Sequence, residues 1–232
     1  MISKSNCLLI LMWLIFQLGH SQEKETNLKI HFRFTFNEES LQTNRKYLSD
    51  KKDTLQITNV KLYLSHFGIE YTDHSILEEQ NSVHLIDLRR PESFHFAIPS
   101  DAKKTVSKIH FNIGIDSLSS VSGAMEGDLD PMNGMYWSWQ SGYINMKLEG
   151  KSPSCPTRKN EFQFHIGGYE SPNYAMRKIS LENKKETPEM NIKINLATLF
   201  AAISLRETNS VMSPGKEAMK IADKSIQIFS VE

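Results

Sequence analysis

Residues 28–36 read LKIHFRFTF, and their alternation constrains the fold more tightly than any other stretch. Leu28, Ile30, Phe32, Phe34 and Phe36 take one parity, and Lys29, His31, Arg33 and Thr35 take the other. Side chains on a strand alternate between its two faces, so this is a strand with one face buried and one solvated. Its apolar face requires a second packed layer. The same period recurs in SKIHFNIGID, where Ile109, Phe111, Ile113 and Ile115 alternate with His110, Asn112 and Gly114. It recurs again at Phe94, Phe96 and Ile98, which run up to Pro99, at Phe162, Phe164 and Ile166, and at Met190, Ile192, Ile194 and Leu196. Residues 55–57, 60–64, 67–71 and 83–88, and Ile179 with Leu181, are shorter strand candidates. Eight or more short strands with few helices predict an all-β fold, a single-domain antiparallel β-sandwich.

Residues 36–53, 72–82 and 117–127 are polar and read as loops or turns. Near the C-terminus the pattern changes to short helices. One is expected over 197–204, and Ser213-Pro214 opens a second that carries Ala218, Ile221 and Ala222 at helical spacing.

The first 21 residues have the order of a secretory signal. Lys4 supplies the charge, residues 7–18 form an apolar run, and Gly19-His20-Ser21 precedes a cut near Gln22. That run is too short to span a bilayer. The expectation is an exported domain over residues 22–232, in the periplasm, the cell envelope or outside the cell. Lysine plus arginine and aspartate plus glutamate both number 27, which gives no sign of a nucleic acid or other polyanion partner. Of the two cysteines, Cys7 lies in the leader, so Cys155 has no intramolecular partner and the core must carry the stability.

Residues 128–150, DLDPMNGMYWSWQSGYINMKLEG, concentrate turn residues and aromatic rings. Trp137 and Trp139 are spaced to point the same way on a strand, as an aromatic plug or as a binding face. Their parity is odd, whereas Ile144, Met146 and Leu148 are even. Either the two halves face opposite sides or a bulge intervenes, for which Ser141-Gly142 is the natural place. The even half is expected to anchor the strand, leaving the tryptophans as a presented pair.

His31, His84, His95, His110 and His165 each sit between apolar neighbours within a strand, and imidazole is a common ligand for copper and zinc. Taken singly, a histidine on a solvated strand face is ordinary, and no HExxH spacing is present. Met125, Met132, Met135 and Met146 surround the aromatic stretch; thioethers suit cuprous ion, although methionine more often fills gaps in a core. The acidic run from Glu126 to Asp130 lacks the ligand count of a calcium loop. There is no GxSxG elbow and no phosphate-binding GxxxxGKS loop, so no enzymatic activity is expected.

Asp130-Pro131, Gly134-Met135-Tyr136-Trp137-Ser138-Trp139, Ser141-Gly142-Tyr143 and Lys147-Leu148-Glu149-Gly150 together resemble the signature of the MbnP-like copper-binding proteins, exported β-sandwich proteins linked to methanobactin systems. KLYLS at 61–65, HLID at 84–87, FNIGID at 111–116 and FHIGG at 164–168 extend the resemblance over most of the chain. It implies one copper ion held by histidines, with His31, His84, His110 and His165 as candidate ligands. Asp87 and Asp116 would be carboxylates that orient them. It implies as well that Trp137 or Trp139 is oxidised to kynurenine by a di-haem MauG-like peroxidase, and that a TonB-dependent transporter is a further partner. The function expected on these grounds is copper storage, delivery or sensing. The alternative is a non-metal binding module whose Trp and Tyr surface holds a sugar, a peptide or a partner protein.

Overall fold

The structure is a computed structural model that describes residues 26–139, 142–185 and 187–232. The expected signal peptide and Ser141 of the expected bulge lie outside the described residues. In chain order the strands are β1 (Thr26–Phe36), β2 (Glu39–Ser40), β3 (Tyr47–Leu48), β4 (Thr54–Tyr71) and β5 (Ile76–Glu78). They continue as β6 (Val83–Asp87), β7 (His95–Ser100), β8 (Val106–Ile113), β9 (Tyr136–Trp137) and β10 (Gly142–Lys151). The last are β11 (Glu161–Gly167), β12 (Arg177–Glu182), β13 (Glu189–Asn195), β14 (Ser210–Val211) and β15 (Phe229–Val231). Among the described residues three short helices accompany them: α1 (Ser117–Val121), α2 (Leu196–Ala202) and α3 (Lys216–Ser225).

The strands form two facing sheets. The smaller has the order β15-β13-β1-β2, with β7 on β1; the larger runs β12-β8-β4-β10-β11-β14, with β6 and β5 also on β4. Most pairings are antiparallel, but β1 with β13 and β11 with β14 are parallel. The even residues of β1 enter the space between the sheets as the sequence predicts: Ile30 is fully buried, and Phe32 lies edge-on to Phe111 of β8. Pro99 is accommodated because β7 borders β1 on one side of the small sheet, where a missing N–H is tolerated. Both C-terminal helices form. Asn195 caps α2 through its side chain at Ala197 N (3.1 Å), and α3 buries Ala218, Ile221 and Ala222.

Three local expectations change. The pieces read at 55–57, 60–64 and 67–71 are one 18-residue strand, β4, kept in its sheet across an irregularity between Ser65 and Gly68 where His66 has φ 54°. The loop expected at 117–127 opens with α1, because the Asp116 carboxylate accepts from Ser119 N at 2.8 Å and caps it. Among the described residues the register shift is not at Gly142 but further along β10. Trp137 pairs with Gly142 and Tyr136 with Tyr143 across a hairpin, and the register shift falls between Ile144 and Met146.

That shift sends Ile144 to the opposite side of the large sheet from Met146. Met146 and Leu148 join the main core between the sheets. Tyr143 and Ile144 join a second cluster, with Tyr63, Leu85, Ile115, Leu129, Met135 and Trp137. The sandwich thus has a partial third layer, built from residues 115–137 laid over the outer face of the large sheet. β4 is buried on both faces from Val60 to Ser65 for this reason.

Candidate metal centre

The third layer is fastened to the sheet by polar groups that reach outward from β4 and β10. The Tyr63 hydroxyl donates to Asp128 O at 2.8 Å, and the Lys61 ammonium donates to Asn133 O at 2.8 Å. Lys61 also faces the Asp87 carboxylate at 3.0 Å, with both side chains nearly buried. The Lys147 ammonium donates to Gly134 O, and the Asp128 carboxylate accepts from Leu85 N at 2.7 Å. The Asp-Pro-Met-Asn-Gly run supplies the turn that these groups hold. Asp130 caps a single 3-10 turn through Met132 N at 2.8 Å, and Gly134 ends it at φ 69°, a backbone setting that favours glycine. Burial pushes the Tyr63 hydroxyl well above its ordinary pKa and holds the Lys147 ammonium below its own.

The two tryptophans do not form a presented pair. Trp137 is 6% exposed and belongs to the second cluster, whereas Trp139 is 65% exposed, because β9 ends at Trp137 and the alternation ends with it. Their rings remain neighbours, 5.8 Å between centroids. The Trp137 ring lies against Gly167 of β11; a β-carbon placed there would be 2.7 Å from Cζ3. Two residues back along the same strand face is His165.

His165 is buried, and its Nε2 meets Glu149 Oε1 at 2.7 Å. The contact with His165 is the main reason the Glu149 carboxyl falls to about 2, with Asn59 and Lys147 assisting against the cost of burial. His110 stands on the outer face of β8 over Gly68, where any β-carbon would collide with its ring, and its Nε2 is 3.0 Å from Glu78 Oε1. His84 turns toward the space between the sheets. It stacks on Phe96 at 3.8 Å with an interplanar angle of 6°, and its Nε2 is 2.9 Å from Glu79 Oε2. His31 lies on the outer face of the small sheet, with its Nδ1 2.8 Å from Nδ1 of His95.

The four histidines named as ligands are therefore not brought together. Between β8 and β11 stand β4 and β10, a step of about 14 Å across the sheet at ~4.8 Å per strand, and register adds to it: His110 is opposite Gly68, whereas His165 is opposite Lys147, whose partner on β4 is Lys61. His84 and His31 face other compartments. Among the described residues no group of three or more His, Cys, Asp or Glu side chains is arranged to hold a metal ion. The carboxylates expected to orient imidazoles are used elsewhere. Asp87 binds Lys61 and accepts from Arg89 N at 3.0 Å, while Asp116 caps α1 and lies 3.6 Å from His66, which was not among the expected ligands. The imidazoles are instead oriented by Glu149, Glu78 and Glu79. Sequence reasoning missed these three because each meets its histidine through strand register or a loop, neither of which spacing reveals. A cleft of about 690 Å³ on the outer face is lined by His66, Glu78, Glu79, His110, Asp116 and Met125, among others.

The MbnP family profile matches residues 25–213. The chain belongs to the MbnP family. MbnP from Methylosinus trichosporium is similar in structure, with a TM-score of 0.54 at 16% identity over 76% of this chain and 78% of that one, a likeness of fold. No curated protein matches the chain. In this MbnP-family chain the long aromatic motif has a physical explanation: it contains the third layer's turn, its hairpin and Lys147, one of the groups that pin it. Among the described residues no helix is long and apolar enough to cross a membrane.

Proposed function

We propose that this MbnP-family chain is an exported copper-binding protein that stores, delivers or senses copper, with its copper chemistry attached to the outer face shared by Trp137 and His165. The observation that carries this reading is the contact of the Trp137 ring with Gly167, two residues from His165 on the same strand. The donor chemistry suits copper: His165 offers an imidazole held by Glu149, and Met135 offers a thioether buried in the same cluster as Trp137. Bound copper, with His165 as a ligand, would supply a cuprous or cupric centre. The chain's part is to hold the His165 ring in one orientation and, by burying Met135 and Trp137, to keep that side of the face dry.

The reading includes oxidation of Trp137 or Trp139 to kynurenine by a di-haem MauG-like peroxidase. Trp139 is accessible to a docking enzyme, and its ring neighbours that of Trp137. A TonB-dependent transporter is the further partner the reading assigns.

The mature chain, expressed with and without copper, tests the site when bound metal is quantified in His84→Ala, His110→Ala and His165→Ala. Loss of loading in His165→Ala is the expected result, and undiminished loading in all three sinks the assignment. Peptide mass analysis of material from the native source tests the modification. Two unaltered tryptophans in copper-loaded protein would refute it.

A further inference from the structure

Basic and acidic residues balance in the chain, 27 against 27, but the fold separates them. Leu48 of β3 stands opposite Thr54 of β4, and Lys151 of β10 stands opposite Gln56. The turn from β3 to β4 and the loop from β10 to β11 therefore emerge side by side at one end of the large sheet. Gln56 Nε2 donates to Thr43 O at 2.8 Å, which draws the segment before β3 to the same end. Lys46, Lys51 and Lys52 come from the first of these segments, and Lys151, Arg158 and Lys159 from the second; all are exposed. Among the described residues none of the six is in an ion pair, whereas Arg45 beside them is paired with Glu39 at 2.8 Å. The carboxylates in their midst are fewer: Asp50 is exposed, Glu161 is half-buried, and Asp53 is buried, its Oδ2 accepting from Leu205 N at 3.3 Å. Arg206 and Glu207, further round, offset each other.

The other end of β4 has the opposite sign. There Glu78 stands opposite Gly68, and the cleft it lines is also lined by Glu79, Asp116, Glu126, Asp128 and Lys178. The hairpin that carries Trp137 is remote from the basic end as well: it meets the start of β10 at Gly142, roughly 30 Å from Lys151 at ~3.3 Å per residue. A group of unpaired cations attracts any polyanion, so its apolar member decides the class of partner. Leu48, beside the turn that carries Lys51 and Lys52, is 57% exposed. A phosphate or sulfate polymer gives that side chain nothing to enter. A bilayer does, because cations meet anionic headgroups while an apolar side chain reaches the boundary with the acyl chains.

We propose that the basic end is a docking surface for an anionic lipid bilayer, seating the chain on a membrane with Trp139 and the acidic cleft turned away from it. Anionic headgroups attract the six cations and repel the carboxylates at the far end, so the separation of charge sets orientation as well as affinity. The attraction decays within a Debye length, about 10 Å at 0.1 M salt, which makes the contact reversible and sensitive to salt. This surface goes beyond the copper reading and uses none of its residues.

The test is co-sedimentation of the metal-free mature chain with vesicles of phosphatidylglycerol and phosphatidylcholine in equal parts, against vesicles of phosphatidylcholine alone. Binding is expected to the first only, and to weaken as salt is raised. Lys51→Glu, which reverses one charge at the basic end, is expected to weaken binding about fivefold or more, whereas Lys178→Glu, the same change at the acidic end, leaves it within about twofold. Both positions are exposed, and a shared unfolding midpoint checks that the variants fold. On anionic vesicles Leu48→Trp should gain a blue-shifted emission component, while the wild-type emission from Trp137 and Trp139 stays in place. Equal binding to both vesicle types, equal weakening by Lys51→Glu and Lys178→Glu, or a blue shift in wild type would overturn the proposal. So would binding to heparin with no sedimentation on either vesicle, which would assign the surface to a soluble polymer. No metal is present, so failure of the copper assignment leaves these outcomes unchanged.

Discussion

The Trp137 indole and the Gly167 backbone are in direct contact, so closely that a β-carbon at Gly167 would lie 2.7 Å from Cζ3 and 3.0 Å from Cη2. Gly167→Ala must therefore displace a ring that is 6% exposed. The expected cost is about 1–3 kcal/mol, the usual range for overpacking. Chemical unfolding measures it, and tryptophan emission should shift to the red. An unchanged midpoint would mean that the ring has room to retreat.

Lys61 and Asp87 form a nearly buried ion pair, with side chains 10% and 4% exposed. Asp87→Ala leaves the Lys61 ammonium without its counter-charge and is expected to cost about 3–5 kcal/mol, whereas a Lys61→Met, Asp87→Leu double variant should recover most of it. Burial works against the Asp87 carboxylate, but the Arg89 N–H and the Lys61 ammonium outweigh it and hold the group below its ordinary pKa. A carboxyl depressed in the folded state adds stability that is fully present above the unfolded value, near 3.8, and is lost as pH falls through the folded one. Urea unfolding between pH 5 and pH 2.5 should show that loss in wild type, with a shallower slope in Asp87→Asn.

Tyr143 ties the third layer to β10 through its hydroxyl. It donates to Leu129 O at 3.0 Å and accepts from Met125 N at 3.2 Å, with Gly123 O at 3.1 Å. Tyr143→Phe strands these backbone groups at an expected cost of about 1–2 kcal/mol. Amide exchange should quicken across residues 123–135 and remain slow in β1 and β13. Uniform acceleration would show that the layer and the sandwich open as one unit.

Cys155 is 1% exposed, and burial pushes its thiol up to about 11, with the Asp53 carboxylate adding to the effect. The native protein should stay unlabelled by a thiol reagent at pH 8 and react stoichiometrically in denaturant. It should also run as a monomer on non-reducing gels.

Where one face of a strand is wet, the sequence announces it: β1, β8 and β13 could be read from alternation because Lys29, His110 and Lys193 lie on the side away from the core. β4 could not be read whole. Lys61, Tyr63 and Ser65 are buried beneath the third layer, so the alternation is masked, and His66 interrupts what remains. The candidate site was legible as an inventory of donors and not as an arrangement. His95 was visible as a strand histidine, yet its partnership with His31 depends on which strand borders β1. Glu149 reaches His165 because Lys147 is the residue directly opposite, a fact of register that spacing does not contain.

Asn145 is the extra residue at the shift between Ile144 and Met146. Its side-chain oxygen accepts from Ile115 N at 3.1 Å, and its backbone step sets which compartment each neighbour enters. Removing it would reverse the phase of what precedes it, and Trp137, paired to Gly142 in the same hairpin, would be carried along. Deletion of this single residue should uncouple the aromatic face from the sandwich while leaving every side chain of the main core in the sequence.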